Sequence, residues 1–504
     1  MSKQNYTLEL PLSTENYQLD ILNKRFRVAE IMYNKLLSEA LNRLIQLRKN
    51  TKYKKYLNLY INSKDKILKK EYSKELTNIR KVFKLTEYDL QAYGVKLQHK
   101  YKVHIDSNTM QKLASTVFKA IESILYKSGK KVHFKKYNTL SSVEGKSNKS
   151  GIRFKENKLY WNGLVLDTYI KKDDYFAKEA LENPVKYCRI VRKPFNSGFK
   201  YYIQLVIGGI PPIKRVKYTG MPRYIDGPDK RVGIDIGTST VAVVSDDTLI
   251  LQELAPKIDM YNKRIKQIQL KMDSSKRKLN PNKYNANGTI NTKNKEKWYL
   301  SKNYNKLRWR LKSLYRKKSA YIKNSHNKLT NEILALGNEV YVETMSFNGL
   351  AKRSKTLERS TKLSIIRTKT KTTKSIYKYK KKKRFGKSIN NRAPALLITI
   401  INQKLSYIDK HINKINTKKF KASQYSHITN TYTKKELNER WNNLDGDLIQ
   451  RDLYSAFLIK NSNKSLDKTD RDLCKKEYKD FVKKHNSLMK ELKANKVKNK
   501  NFGI

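Results

Sequence analysis

Cysteine, glycine and proline are scarce in this sequence. Its two cysteines, Cys188 and Cys474, lie far apart, which excludes a disulfide framework and a four-cysteine zinc site and favours a reducing compartment. The 18 glycines and 10 prolines among 504 residues are below average usage, which argues against a low-complexity or collagen-like chain.

Long hydrophobic runs are also missing. The longest, ALLITII at Ala395–Ile401, is far too short to span a membrane. The first residues, MSKQNYTLELPLSTENYQ, contain no apolar core of a signal peptide. We therefore expect a soluble cytoplasmic protein with no membrane partner.

Acidic residues are few in comparison with basic ones. The chain has 111 lysines and arginines against 44 aspartates and glutamates, which gives a formal net charge of +67. Such an excess favours a polyanionic partner, and nucleic acid is the one we predict. The 34 tyrosines, 14 phenylalanines and 4 tryptophans still supply large side chains for packing, and the length suggests roughly three domains.

The first part of the chain changes its hydrophobic period twice. Residues Tyr6 to Leu12 alternate like a strand, residues 25–49 carry apolar side chains at helical spacing, and residues 131–212 return to alternation between turn signals. We interpret residues 1–20 plus 130–215 as a small β domain, a sheet or barrel, with a helical insertion at 21–129.

A second domain follows a turn-rich linker at 216–230. VGIDIGTSTVAVVSDD indicates strand, turn and strand, NEVYVET another strand, and RDLYSAFLI an amphipathic helix. We place this domain at 231–460, with a basic helical insertion at 257–330. Residues 351–390 hold 16 basic residues and one acid, so we expect them to be mobile without a partner, and residues 461–504 to be a charged tail.

Three acids stand out because they lie within apolar segments. Asp235 is at the centre of one predicted strand, Glu343 ends another, and Asp452 begins the short helix. Carboxylates brought together in this way can hold two Mg²⁺ ions, which clamp the attacking water and the leaving oxygen of a phosphodiester. Mn²⁺ would serve as a substitute.

Each acid also has a structural explanation. Asp235 fits a turn or cap, Glu343 a surface charge at a strand end, and Asp452 a first-turn acid favoured by the helix dipole. Asp445 and Asp447, in NNLDGDLIQ, are rival ligands, although their context is typical of a turn.

The same blocks carry a family resemblance. GIDIGTSTVAVVS, VYVETMSFNGL and QRDLYSAFLI resemble the three blocks of a RuvC-like nuclease domain, and their order behind the N-terminal half resembles the TnpB proteins of bacterial insertion sequences. Compact type V CRISPR effectors are similar. LELPLSTENYQLDILNKRFRVAEIMYNKLL and FKASQYSHITNTYTKKELNERW are also TnpB-like.

The resemblance implies a multidomain α+β protein that cuts double-stranded DNA under the direction of a guide RNA. The N-terminal β-barrel (wedge) and its helical insertion (recognition lobe) would hold the RNA and read a short motif beside the target, and base pairing would read the remainder. An RNase H-like (RuvC) α/β domain, with helical and target-strand-loading insertions, would cut with Asp235, Glu343 and Asp452. The resemblance also implies a prokaryotic protein, and we expect a monomer.

The sequence departs from many TnpB proteins between the second and third blocks, where they carry a four-cysteine zinc ribbon. The corresponding stretch, about 420–448, contains no cysteine. We expect no zinc, and we expect Tyr425, His427 and Trp441 to fill this module by packing.

One basic run is interleaved with aromatic residues, as suits single-stranded nucleic acid. We predict nucleic-acid contacts there and at Arg451, although a solvated charge run is the simpler explanation. The predicted contact residues are Tyr377, Tyr379, Lys380, Lys381, Lys382, Lys383, Arg384 and Arg451.

Other functions stay open at this point. GIDIGTST is also similar to the first phosphate loop of sugar kinases and actin-like ATPases, but no second phosphate loop or adenosine motif follows it. A guided DNA-binding repressor would use the same fold without cleavage, and a strand-transfer transposase could share the three acids. The sequence does not distinguish a transposon-borne nuclease from a compact type V effector, and the DNA that neighbours the gene would distinguish them.

Overall fold

The computed structural model describes residues 4–126, 129, 131–216, 219–222, 227–352, 359–367, 373–379, 385–436, 439–497, 499 and 501–504. The chain divides into two compact units, Met1–Ile213 and Lys214–Ile504. Among the described residues, no helix combines the length and the apolar character needed to cross a membrane.

The first unit consists of a strand, five consecutive helices and a β-rich segment. Its helices are α1 (Asn16–Lys49), α2 (Thr51–Asn62), α3 (Lys66–Val82), α4 (Glu87–Lys100), α5 (Ser107–Leu125) and α6 (Tyr175–Leu181). Its strands are β1 (Asn5–Pro11), β2 (Ser142–Glu144), β3 (Arg153–Lys155), β4 (Lys158–Trp161), β5 (Leu164–Asp167), β6 (Val185–Phe195) and β7 (Gly198–Gly208).

Helix α1 is the longest helix of the helical insertion. It begins where the Gln18 side chain accepts the backbone N–H of Glu15 at 2.9 Å and ends at Asn50, whose side chain accepts the N–H of Tyr53 and caps α2. Its apolar stripe, which includes Phe26 and Leu36, is fully buried. Hydrophobic burial of this one face therefore stabilises a helix whose other face is polar.

The β strands of the first unit form two sheets and not one barrel. β1 pairs antiparallel with β7 along its length, and the larger sheet has the order β1-β7-β6-β2. β3, β4 and β5 form a separate sheet, which an isolated bridge between Leu12 and Thr168 links to the first strand. Among the described residues the expected barrel is therefore not closed by strand pairing, and β2 to β5 have only three or four residues each.

The second unit has the following strands: β8 (Arg231–Ile236), β9 (Thr240–Val244), β10 (Leu249–Glu253), β11 (Glu339–Glu343), β12 (Arg359–Arg367), β13 (Thr373–Tyr379), β14 (Asn413–Ile415), β15 (Tyr425–Ser426), β16 (Thr431–Tyr432), β17 (Trp441–Leu444) and β18 (Asp447–Gln450). Its helices are α7 (Ile258–Leu279), α8 (Lys302–Leu336), α9 (Phe347–Ala351), α10 (Gly386–Arg392), α11 (Pro394–Leu405), α12 (Thr417–Phe420), α13 (Arg451–Lys460) and α14 (Arg471–Ala494).

A five-stranded mixed sheet organises the second unit. Its order is β10-β9-β8-β11-β14. The pairs β10–β9 and β9–β8 are antiparallel, whereas β8–β11 and β11–β14 are parallel. The long connection through α7 and α8 supplies the crossover that a parallel neighbour requires.

The two faces of this sheet bury different helices. Ile234, Val243 and Val342 face one core with residues of α8 and α11. Ala242 and Tyr341 face a second core with residues of α13 and α14. Because side chains alternate along a strand, the odd-numbered residues of β8 and β11 lie on the α13 face.

One stretch of the second unit differs from its sequence interpretation. Residues 461–504, interpreted as a charged tail, contain α14, and Cys474, Phe481 and Met489 of α14 pack in the same hydrophobic core as residues of α13. The polar composition of this stretch concealed the helix. In the stretch 351–390, β12 and β13 form an antiparallel hairpin and α10 follows it, and the mobility of this stretch without a partner stays a prediction.

Candidate active site

The structure places the three predicted acids at one end of the α13 face. In the parallel pair β8–β11, Val342 is in register with Ile234, so Glu343 and Asp235 come next on neighbouring strands. Asp452 lies in the first turn of α13, which packs on this face. All three residues are partly buried.

A glycine allows α13 to approach the sheet this closely. A Cβ at Gly233 would lie 2.8 Å from the Cα of Lys460 and closer still to the backbone O of Ala456 and N of Lys460. These are backbone atoms that cannot rotate away. Gly233 is two residues before Asp235, so the same close packing brings the N-terminal half of α13 to the acids.

The pKa values of Asp235 and Glu343 are both raised. Burial is the largest cause for Asp235, followed by the negative charges of Asp452 and Glu343, with Arg451 acting in the opposite direction. Burial raises the pKa of Glu343 to about 7, although a hydrogen bond from the backbone of Ala422 opposes it. The folded chain thus holds carboxylates where their charge is unfavourable, as catalytic sites often do.

Two arginines flank the third acid. The Nε of Arg451 lies 3.7 Å from Oδ1 of Asp452, and Nη1 of Arg440 lies 4.0 Å from Oδ2. Burial raises the pKa of Asp452, and the charges of Arg451 and Arg440 oppose that rise. Arg451, predicted to contact nucleic acid, is therefore placed against an acid of the site, with its side chain 13% exposed.

The donor set is suited to a hard divalent cation. The three carboxylates supply oxygen ligands, and a cation would offset the repulsion that raises the pKa of Asp235. Within the described part of the chain, however, no three His, Cys, Asp or Glu side chains are close enough together to hold a metal ion.

The rival acids lie in a turn, as their context indicates. Asp445 and Gly446, with φ of 54° and 89°, form the two-residue turn between β17 and β18. Asp447 pairs with Leu444 across that turn. Their negative charges contribute to raising the pKa of Tyr478, for which burial is the main cause.

The predicted aromatic and basic run is only partly described. Tyr377 and Tyr379 belong to β13 and pair with Leu363 and Arg359 of β12. Residues Lys380–Arg384 lie outside the described residues. Nucleic-acid contact in this run stays a prediction.

The cysteine-free module has an aromatic core around His427. The His427 ring is buried, and its Nδ1 lies 2.7 Å from the hydroxyl of Tyr454. The rings of Phe457 and Tyr478 pack against it, with centroids 6.0 and 4.8 Å away. Tyr425 is also buried. Packing with α13 and α14 therefore holds this module to the core of the second unit.

His427 should make stability depend on pH. Burial, assisted by the charges of Arg471 and Lys475, lowers its pKa to about 4, against about 6.5 in an unfolded chain. The folded state thus resists protonation, so the associated stability is complete above about pH 6.5 and is lost as the pH falls toward 4. We expect wild type to lose about 2–3 kcal/mol more than His427→Gln between pH 7 and 4.5. Urea denaturation at both pH values measures this, and equal losses would contradict it.

Sequence reasoning missed Arg440 and Ala422 as neighbours of the acids. Arg440 lies beside Asp452 because β17 and β18 form a hairpin, in which the N–H of Arg451 donates to the O of Arg440 at 2.9 Å. The two-residue Asp-Gly turn was a signal for that hairpin. No local signal pairs Ala422 with Glu343, since only folding brings them together.

Comparisons with known proteins add two distant structural likenesses. No protein-family model matches the chain, and no curated protein sequence matches it. The cryo-EM structure of a Cas12f1-sgRNA-target DNA complex matches with a TM-score of 0.40 and 9% identity over 92% of this chain and 99% of that chain. A CRISPR-Cas12f ternary complex matches with a TM-score of 0.24 and 12% identity over 88% of this chain and 82% of that chain. Because both TM-scores are low, neither likeness assigns a function.

Proposed function

We propose that this protein is an RNA-guided DNA endonuclease of TnpB type, which cuts double-stranded DNA at a RuvC-like site. The observation that carries the proposal is the placement of Asp235, Glu343 and Asp452. Asp235 and Glu343 lie on one face of one sheet, and Asp452 lies on the helix that packs on that face, near enough for the charges of Asp452 and Glu343 to raise the pKa of Asp235. A turn or cap at Asp235, a surface charge at Glu343 and a first-turn acid at Asp452 would each be explained separately. These explanations do not account for the position of the three acids next to one another.

Asp235, Glu343 and Asp452 would hold two Mg²⁺ ions, or Mn²⁺ in their place. The metal, when bound, supplies Lewis-acid stabilisation and activates water for phosphodiester hydrolysis. The chain's own residues would orient this reaction. Arg451 and Arg440 oppose the rise in the pKa of Asp452 that burial causes, and their positive charge beside the site suits a phosphate-bearing substrate.

The net charge of +67 supports guide RNA and target DNA as the partners. Each neutralised phosphate releases counterions, so we expect affinity to fall steeply with salt. The first unit, with its helical insertion, would hold the guide RNA and read a short target-adjacent motif. A compact type V effector has the same chemistry, and a guided repressor would bind the same partners without cleavage. The intact acid set favours cleavage.

Cleavage should require a divalent cation. We expect activity with Mg²⁺ or Mn²⁺ and little with Ca²⁺, because Ca²⁺ prefers more ligands and looser geometry than a few carboxylates provide. Cleavage of guide-matched DNA in chelated buffer, with each ion added back, measures this requirement.

We also propose that the protein binds no zinc, and elemental analysis of the same sample checks this. Full activity in chelator would refute the metal-dependent mechanism, and one zinc per chain would refute the zinc-free module.

A further inference from the structure

A short turn packs on the second unit after α14. It consists of Asn499 and Asn501–Ile504, and we call these residues the strap. The backbone N–H of Asn499 donates to the O of Ile504 at 2.8 Å, and the N–H of Phe502 donates to the O of Asn499 at 2.9 Å. The Phe502 side chain is buried in the hydrophobic core that also contains residues of α13 and α14. Its own hydrogen bonds and this buried ring therefore fix the strap on the second unit.

One side of the strap contacts the end of the sheet near Asp235. Nδ2 of Asn499 donates to Oε1 of Glu253 at 2.6 Å, and Nδ2 of Asn501 donates to Oγ of Ser239 at 3.4 Å. Glu253 is the last residue of β10, and Ser239 belongs to the turn between β8 and β9, four residues after Asp235. These contacts attach the strap to the turn that directly follows the strand of the first acid.

The other side of the strap contacts the beginning of the β17–β18 hairpin. Nε1 of Trp441 donates to the O of Gly503 at 3.2 Å. A Cβ at Gly503 would lie 2.6 Å from this Nε1 and 2.8 Å from the Cβ of Arg440. The O of Arg440 accepts the N–H of Arg451, and its Nη1 lies 4.0 Å from Oδ2 of Asp452. The strap thus packs directly against the arginine that flanks the third acid.

The β17–β18 hairpin gains stability from contacts outside itself. Its strands have four residues each and form a two-stranded sheet, and a two-stranded hairpin alone is marginally stable in water. Because α13 begins at Arg451, directly after β18, a movement of the hairpin would also move Asp452. The strap joins this hairpin to the turn after β8, so it restricts the movement of Asp452 relative to Asp235.

We propose that the strap is a positioning element of the active site. It holds Arg440 and the start of α13 in a fixed place relative to Asp235, and it acts through the backbone of Gly503 and the side chain of Trp441. Small displacements of reacting groups cost an enzyme much of its rate, which gives the strap a role in cleavage beyond stability. This inference rests on the proposed function, because the reaction it affects is the proposed DNA cleavage.

Two substitutions loosen the contact between the strap and the hairpin. Gly503→Ala adds a methyl group that must displace Trp441 and Arg440. Trp441→Phe keeps an aromatic ring but removes the donor to the O of Gly503, and it introduces no overlap. Gly446→Ala is the matched control. Gly446, in the turn of the same hairpin, has φ of 89° against 79° at Gly503, but a Cβ there would meet no atom within 4 Å.

Two quantities are measured on the full chain, at a temperature where each variant is folded. Single-turnover cleavage with guide RNA, saturating target DNA and Mg²⁺ gives the rate. Hydrogen–deuterium exchange of the metal-free chain, in peptides that cover residues 439–453, gives the local protection of the hairpin and of the start of α13. We expect Gly503→Ala to lower the rate about tenfold and Trp441→Phe at least about threefold, and both to speed exchange in these peptides. Guided DNA binding should be unchanged, and Gly446→Ala should cleave at nearly the wild-type rate.

Each result decides between the two claims. If wild type cleaves with its guide while Gly503→Ala and Trp441→Phe match its rate, the positioning role is refuted and the proposed function stands. Faster exchange with an unaltered rate would make the strap merely structural, and an equal loss of rate in Gly446→Ala would assign the effect to strain in the hairpin. Both results contradict the inference. Trp441→Phe decides alone if Gly503→Ala does not fold. If wild type does not cleave, the proposed function fails and this inference fails with it.

Discussion

Asp235→Ala should abolish DNA cleavage and leave guided DNA binding intact. Asp235 is the acid whose pKa is raised by both of the others, so it is the shared member of the carboxylate set. Loss of this proposed metal ligand removes charge stabilisation from the transition state, and we expect the single-turnover rate to fall by on the order of 10³-fold or more. Binding should survive because the carboxylates repel phosphates and are not the binding surface. Single-turnover cleavage and a binding assay with the same guide measure both quantities.

A second variant at this position tests the electrostatic explanation. Asp235→Asn keeps the size of the side chain and removes its charge. The raised pKa means that the folded chain favours the protonated Asp235 carboxyl over the ionised one. The stability that the protonated carboxyl contributes is lost as the pH rises through that pKa. In metal-free buffer at pH 7.5, Asp235→Asn should therefore be at least as stable as wild type, and still inactive.

Asp447→Ala, in the β17–β18 hairpin, is the matched control for Asp235→Ala and should cleave DNA at nearly the wild-type rate. Wild-type cleavage by Asp235→Ala would overturn the site assignment.

Gly233→Ala should destabilise the second unit by at least about 3 kcal/mol, or prevent folding. The added methyl group would be forced against backbone atoms of Ala456 and Lys460. To relieve this overlap, α13 would have to move away from β8, and its movement would also separate Asp452 from Asp235. The free energy of unfolding from urea titration measures the stability, and the soluble yield reports a variant that does not fold.

Gly386→Ala is the matched control for this substitution. Its added Cβ would lie at an ordinary contact distance of 3.4 Å from the O of Ala351, at the first residue of α10. We expect its stability to stay within about 1 kcal/mol of wild type. Equal stability of Gly233→Ala and Gly386→Ala would show that α13 does not lie as close to the sheet as the structure has it.

The acids of the site could be predicted because each lies in an apolar segment of regular period. Alternation in VGIDIG and VYVE indicates that Asp235 and Glu343 belong to strands, and RDLYSAF indicates a helix start at Asp452. What brings them together could not be read from any one segment. It depends on the parallel register of β8 and β11 and on the close contact of α13 at Gly233.

The parts that sequence reasoning missed have different physical causes. α14 was overlooked because its composition is polar, although its buried residues Cys474, Phe481, His485 and Met489 recur at helical spacing. That signal was present in the sequence. The hydrogen bond from the backbone N–H of Gln450 to Nε2 of His485 gave no such signal, because the two residues are adjacent only after α13 and α14 pack. Alternation predicted a sheet or a barrel, and the resemblance implied the barrel, because alternation does not specify how short strands pair.

The most direct test of the RNA-guided reaction is to exchange the segment of the guide RNA that pairs with DNA. The protein is combined with two guides that differ in that segment alone, each is given a mixture of both target duplexes and Mg²⁺, and the cut products are sequenced. We expect each guide to direct cleavage to its own target, beside a common short motif, and RNase treatment before DNA is added to abolish both reactions. Cutting at the same positions with either guide, or undiminished cutting after RNase, would instead identify a plain basic nuclease and contradict the proposed function.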